Sequence, residues 1–357
     1  MFRVLVLLGG SALLAALACQ SAAPDLPPPA TLAPASIPKA PPDLRVPGSF
    51  VYAQDGNLWS LTHRSRPRRL TSLPSGSFPA APVASPDGRQ VALSLFLPSQ
   101  SANDPGGSDL YLLNREGGNL QPLLPHDLPG SALEPSDWSP DGRTLLFTYR
   151  AQVYRDNRFV EEILRVERTA TDQGSREHLL PNAAHASYFP DGKRLVYTIT
   201  NPSTYRQSLW VANSDGTEPR QIVDAERFTA LFAPRPSPDG RFIVFAAPSD
   251  GQTAAPGGRG APALTSWLTS WLLPRAAQAH GIPWELWLVQ SNGEGLQRLT
   301  PPIEGTPYPV WLPGGETIAF LGELGLYLVD RSGQQVVWLE ELTGGIGLTW
   351  LPEQPGP

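Results

Sequence analysis

Four aspartates stand at one place in four near-identical tetrapeptides: Ser85-Pro86-Asp87-Gly88, Ser139-Pro140-Asp141-Gly142, Phe189-Pro190-Asp191-Gly192 and Ser237-Pro238-Asp239-Gly240. Repeated carboxylates invite calcium coordination or acid–base work, and both require oxygens that converge on one point. These aspartates are 54, 50 and 48 residues apart, one to a repeat. Asp87, Asp141, Asp191 and Asp239 are therefore read as turn residues rather than ligands. Five histidines, His63, His126, His178, His185 and His280, show no His-x-His or His-x-x-x-His spacing. The chain's one cysteine excludes a disulfide framework and any multi-cysteine metal site. No G-x-S-x-G elbow occurs, and no P-loop or G-x-G-x-x-G opens a helix after a strand. Gly257-Gly258-Arg259-Gly260 reads as a loop. No catalytic residue, metal site or cofactor is assigned.

Each tetrapeptide has the chemistry of a hairpin turn. Pro presets φ at the second position, Asp suits the third, and Gly takes the left-handed φ that follows. A degenerate copy is Leu312-Pro313-Gly314-Gly315, and a vestigial one is Leu351-Pro352-Glu353. Runs of strand character follow the turns, such as Gln90-Val91-Ala92-Leu93 and Phe242-Ile243-Val244-Phe245. Trp138, Tyr188, Trp311 and Trp350 recur just before them. A third strand recurs as Leu58-Trp59-Ser60-Leu61, Leu110-Tyr111-Leu112-Leu113, Leu209-Trp210-Val211-Ala212, Leu286-Trp287-Leu288-Val289 and Leu326-Tyr327-Leu328-Val329. Short fourth strands such as Arg69-Leu70-Thr71 and Arg298-Leu299-Thr300 end the units.

Four strands in each unit of roughly 50 residues is the pattern of a β-propeller. The copies count to six. The first unit lacks an innermost strand, which Ile346–Trp350 at the C-terminus would supply. The expected fold is all-β: a six-bladed propeller of four-stranded blades over 48–357, closed by pairing the N- and C-terminal strands in one blade. Residues 48–353 resemble the TolB-type (WD40-like, PD40) propeller repeat, with its Trp-Ser-Pro-Asp-Gly core, Leu-Tyr-Leu or Leu-Trp-Val strand and Leu-Thr ending. TolB itself carries an additional α/β domain where this chain has a Pro-rich segment.

Composition agrees with a turn-rich folded chain: 41 Pro and 33 Gly make up about a fifth of 357 residues, against ~12% in average usage. The formal charge of −6 argues against nucleic acid as a partner. Met1-Phe2-Arg3, an apolar run from Val4 to Ala18, and small residues up to Cys19 form a secretory-type signal over 1–18. The run is shorter than the ~20 residues that span a bilayer. Ala15-Ala16-Leu17-Ala18-Cys19 resembles a bacterial lipobox, which implies lipidation of Cys19 and attachment to a membrane. An ordinary signal cut after Ala16-Leu17-Ala18 would expose the same Cys19 without the lipid. Residues 19–47, rich in Pro and Ala, read as an extended tether with no part in folding.

The long step from Asp239 to Gly314 holds an insertion over 248–283, in the fifth blade. Within it Leu264, Trp267, Leu268, Trp271 and Leu272 follow the stripe of an amphipathic helix ended by Pro274. That helix either caps the propeller or docks a partner through Trp267, Leu268, Trp271 and Leu272. A second insertion, Arg150 to Glu162, is polar and reads as a strand extension or a binding loop. Two functions follow. One is a monomeric, lipid-anchored extracytoplasmic scaffold that binds an envelope protein or peptide. The other is a lyase or hydrolase acting on a polysaccharide or peptide in the central channel, for which Glu134, Asp137, His185 and Arg235 on the inner strands are the available groups. If Cys19 carries the lipid, Cys19→Ala moves the protein from the membrane fraction to the soluble one; unchanged fractionation removes the anchor.

Overall fold

The computed structural model describes residues 37–97, 106–155, 158–172, 174–248, 283–303, 305, 307–322, 324–342 and 344–353. Cys19 and the 264–273 stripe lie outside them. Within the described residues the chain is all β. One sheet joins β1 (Ser49–Gln54), β2 (Asn57–Leu61) and β3 (Arg68–Arg69) to the last strand, β24 (Ile346–Leu351). An eight-stranded sheet follows, made of β4 (Phe78–Ala84), β5 (Gln90–Phe96), β6 (Ser108–Asn114), β7 (Gln121–Leu124), β8 (Ala132–Trp138), β9 (Thr144–Arg155), β10 (Arg158–Ala170) and β11 (Arg176–Pro181). Its two halves meet through a single parallel pair, Ser108 with Ala132. Three four-stranded sheets complete the fold. They are β12 (Ala183–Tyr188) to β15 (Arg220–Val223), β16 (Phe232–Pro236) to β19 (Gln297–Arg298), and β20 (Pro309–Trp311) to β23 (Val336–Glu341), with β13 (Arg194–Thr200), β14 (Gln207–Asn213), β17 (Phe242–Pro248), β18 (Trp284–Gln290), β21 (Thr317–Gly322) and β22 (Gly325–Asp330) between.

The first strands follow one another in a closed cycle, β24, β4, β8, β12, β16, β20 and back to β24. Apolar clusters lie between successive members of the cycle, so second strands such as β5 and β17 are buried on both faces. That is why they read as unbroken apolar runs instead of alternating. Outer strands are short and polar, as in Arg68–Arg69 and Gln297–Arg298. The recurrent Leu-Thr ending has a physical reason. Thr71 Oγ1 accepts the Leu58 N–H at 2.9 Å, and Thr300 Oγ1 accepts that of Leu286 at 2.9 Å, so a buried hydroxyl continues the ladder where the outer strand stops.

The repeated turns explain their own sequence. In the three turns that begin with serine its hydroxyl donates to the aspartate, Ser85 to Asp87 at 2.7 Å, Ser139 to Asp141 at 2.6 Å and Ser237 to Asp239 at 2.5 Å. The same aspartate oxygens accept the Arg89 and Arg143 N–H groups. Asp191 and Asp239 likewise accept from Lys193 and Arg241. The turns do not stand apart. A Cβ built on Gly192 would lie 3.5 Å from Pro140, on Gly240 3.7 Å from Pro190, and on Gly315 3.4 Å from Pro238. Each turn therefore packs on the proline of the one before, while its carboxylate stays engaged within its own turn.

The aromatic residues before the turns link neighbouring repeats. Trp138 Nε1 donates to the Val83 carbonyl at 3.0 Å, and Trp311 Nε1 to that of Arg235 at 3.0 Å. The Tyr188 hydroxyl lies 3.3 Å from Thr144 Oγ1. Trp350 instead reaches Pro47, beside the closing sheet. The Arg150–Glu162 segment forms the ends of the long β9–β10 hairpin, a strand extension. Residues 37–47 depart from the expected free tether: Ile37 and Val46 are each 8% exposed, and Ala40 pairs with Trp338. Their apolar side chains find a surface about 300 positions away, which composition alone does not reveal. Trp138→Phe keeps the ring and removes the donor, so it should cost about 1–2 kcal/mol by denaturant unfolding. An unchanged midpoint would mean that this bond contributes nothing.

Candidate functional site

Counting back from the first residue of each turn aligns the six first strands. Four positions back stand Ala81, Pro135, His185, Ala233, Tyr308 and Gly347. Four of these take a left-handed backbone: Ala81 (φ 45°), His185 (φ 53°), Ala233 (φ 47°) and Gly347 (φ 66°). The register slips at this point in β4, β8, β12 and β16. Bulges of this kind re-aim side chains. Here they surround one cavity of about 20 Å³ on the axis of the cycle, lined among others by Glu134, Ser136, His185, Arg235, Tyr308 and Leu348. That volume holds about one water molecule.

Three of the four residues expected from the sequence meet at this cavity: Glu134, His185 and Arg235. Asp137 does not line it. Its carboxylate accepts Ser187 Oγ at 2.5 Å, Tyr188 N–H at 2.9 Å and Trp138 N–H at 2.9 Å. Thr349, at the same register of β24, likewise accepts the Ala84 N–H at 2.9 Å. Asp137 thus joins neighbouring first strands. Two residues at the axis were not anticipated. Tyr308 is found by counting four back from Leu312. Arg150 carries no such mark, because it lies on the second strand β9 and comes to bear only through the fold.

Burial dominates the electrostatics. It lifts the Glu134 carboxyl above its ordinary range, against the opposing pull of Arg150 and Arg235. It also raises Asp137, with Arg235 and its hydrogen bonds opposing. Burial lowers both guanidinium groups, against the carboxylates beside them. His185 is pushed down to about 3, by burial first and then by the positive charges of Arg150 and Arg235. The Tyr308 hydroxyl is raised, by burial and then by Glu134. The imidazole is thus neutral at physiological pH.

An aromatic group adjoins these charges. The His185 ring meets Phe232 edge-on at 4.4 Å, and Phe232 meets Tyr308 at 4.8 Å and Trp284 at 6.3 Å. All four rings remain partly exposed. Trp284 pairs with Pro248, so the 249–282 connection leaves and rejoins the fold beside this group. Trp267, Leu268, Trp271 and Leu272 fall outside the described residues.

Among the described residues no hydroxyl is hydrogen-bonded to the His185 ring, and no hydrogen bond joins Glu134, His185 and Arg235 to one another. The remaining described histidines are engaged elsewhere. His63 Nδ1 lies 3.1 Å from Glu340, His126 Nδ1 lies 2.6 Å from Asp109, and His178 Nε2 lies 3.3 Å from the buried Glu167. Glu167 also holds Arg165 and Arg176. No group of three metal-ligating side chains occurs among the described residues. The axis can offer shape, aromatic surface and fixed dipoles to a bound group.

No protein-family profile matches the sequence, and no curated protein does. Solved structures do resemble it. TolB from Acinetobacter baumannii superposes with a TM-score of 0.58 at 15% identity, over 86% of this chain and 67% of that one. A putative TolB from Agrobacterium tumefaciens gives 0.50 at 20% identity, over 72% and 81%. A chain of a nidogen/laminin complex gives 0.57 at 13% identity, over 86% and 99%. At these identities the likeness is one of fold: the chain is a β-propeller of the kind seen in TolB.

Because folding favours neutral His185, its stabilising contribution is complete above the ordinary histidine range. It is lost as pH falls from about 6.5 toward about 3. His185→Asn, which tolerates the left-handed φ, should flatten the fall of the urea midpoint between pH 6.5 and 4. Parallel curves for the two proteins would refute the assignment.

Proposed function

We propose that this chain is an extracytoplasmic binding scaffold, attached to a bacterial membrane through a lipid on Cys19, that takes an envelope protein or peptide at the aromatic face of a six-bladed ring. The observation that carries the reading is the axial site itself. Phe232, Trp284, Tyr308 and His185 present partly exposed rings beside charges that compensate one another. Such rings supply contact area at low entropic cost and dominate recognition surfaces. The single Ser108–Ala132 pair between the two halves of the eight-stranded sheet supports counting those halves as two blades. A thioether-linked diacylglycerol with a further acyl chain would satisfy the need for more than one chain in a stable anchor. The Trp267, Leu268, Trp271 and Leu272 stripe would add partner contacts of its own.

A second reading has one observation in its favour: Glu134, His185, Arg235 and Tyr308 surround a common cavity. An enzyme acting on a polysaccharide or peptide would use Glu134 and His185 there. The two readings part in one experiment. Full-length protein carrying Phe232→Ala with Trp284→Ala is compared with wild type as bait in envelope extract, beside turnover assays on oligosaccharides and peptides. The scaffold predicts at least a tenfold loss of captured partner with cooperative folding retained, and no turnover by either protein. Equal capture by both proteins removes the aromatic face as the binding surface. Turnover that disappears in Glu134→Gln and in His185→Asn establishes the enzyme instead.

A further inference from the structure

The outermost strands of the sheets are guarded in the usual ways, by shortness and by charge. β3 and β19 have two residues each, with exposed Arg and Gln. β7 and β15 have four, beginning with exposed polar residues. The outer strand β11 reads Arg-Glu-His-Leu-Leu-Pro. β23 is different. It has six residues and begins Val336-Val337-Trp338-Leu339, a long apolar edge of the kind that attracts another strand.

That edge carries a guest. The Trp338 N–H donates to the Pro38 carbonyl at 2.8 Å, and the Ala40 N–H donates to the Trp338 carbonyl at 2.8 Å, with Lys39 paired parallel to Trp338. Ile37 inserts among the core residues that include Ile303, Ile318 and Phe320. Lys39 Nζ lies 5.4 Å from the centre of the Trp338 ring. The guest's sequence suits its conformation. Proline disfavours the helical region for the residue before it, so Pro38 holds Ile37 extended and Pro41 does the same for Ala40. Pro38 lacks an N–H but needs only its carbonyl here. The segment meets the edge already straight, which lowers the ordering cost of binding. Two prolines also stop it from lengthening into a full strand.

Strand addition to a sheet edge is a general mode of peptide recognition, in which main-chain bonds give affinity and alternate side chains give specificity. We propose that the outer edge of β23 is a strand-addition site for extended peptides of the pattern aliphatic-Pro-x-Ala, which the chain's own Ile37-Pro38-Lys39-Ala40 fills in cis and a partner's segment of that pattern fills in trans when they leave. This site is separate from the axial face and stands or falls independently of it. The cis segment competes at an effective concentration in the millimolar range, so the edge is closed to weak ligands until the segment is displaced.

The test uses the full chain with Ile37→Asp, which replaces the buried plug by a charge, and a fluorescein-labelled peptide of residues 35–43. By fluorescence anisotropy the variant should bind the peptide at least about tenfold more tightly than wild type. The same peptide carrying Ala40→Pro, which lacks the donor to Trp338, should bind the variant at least tenfold more weakly. Amide exchange at Trp338 should be slow in wild type, fast in the variant, and slow again with the peptide. If Ile37→Asp fails to melt cooperatively, Ala40→Pro in the chain serves as the released form. The proposal is overturned if a cooperatively folded released chain binds neither peptide, binds both equally, or leaves Trp338 exchange unchanged on peptide addition.

Discussion

A cycle of sheets buried on both faces has no natural first or last member, so the two ends of the described chain must meet. Here they meet through β24 and β1, paired antiparallel from Ser49 with Leu351 to Ala53 with Ile346. The approach at the corner is so close that a Cβ on Gly48 would run into the Leu351 carbonyl. β24 then bears on β4, where Thr349 accepts the Ala84 N–H. Without this pairing, apolar faces on either side of the gap would open to water. The cluster around Phe50, Tyr52, Leu326 and Leu328 lies between the closing sheet and the β20–β23 sheet. The axial residues on the first strands depend on it as well, since each first strand packs between two others of the cycle.

The charges at the axis show what such a closed ring tolerates. Burying a charge is costly unless partners compensate it. Glu134 lies between the fields of Arg150 and Arg235, and Asp137 is satisfied by three donors.

Much of the fold was legible because its determinants are local. Ser85, Pro86, Asp87 and Gly88 make their turn with one another's atoms, so four adjacent letters announce a hairpin wherever they recur. Trp138 and Trp311 marked a common register, although their role as donors to the preceding first strand required the structure. The axial site was harder to read, because its members share a position relative to the turn and differ in type: Ala81, Pro135, His185, Ala233, Tyr308 and Gly347. Glu134, His185 and Arg235 stood out by charge. Tyr308 did not, and Arg150 sits on a different strand. The segment from Ile37 to Val46 was misread because prolines dominate its composition, while its fate is set by a few apolar side chains and a distant partner, Trp338. The junction at Ser108 and Ala132 is one residue pair with no sequence signature at all.

The seating of residues 37–40 on β23 also decides where mechanical load enters the molecule. Tension applied to the chain before Ile37 is met first by the two bonds to Trp338 and by the buried Ile37 side chain, not by β1. The contact behaves as a fuse in series with the seam. Beyond it the Arg64 bond to Pro41 and the buried Val46 must also give way before the pull reaches the β1–β24 pairing that keeps the ring closed.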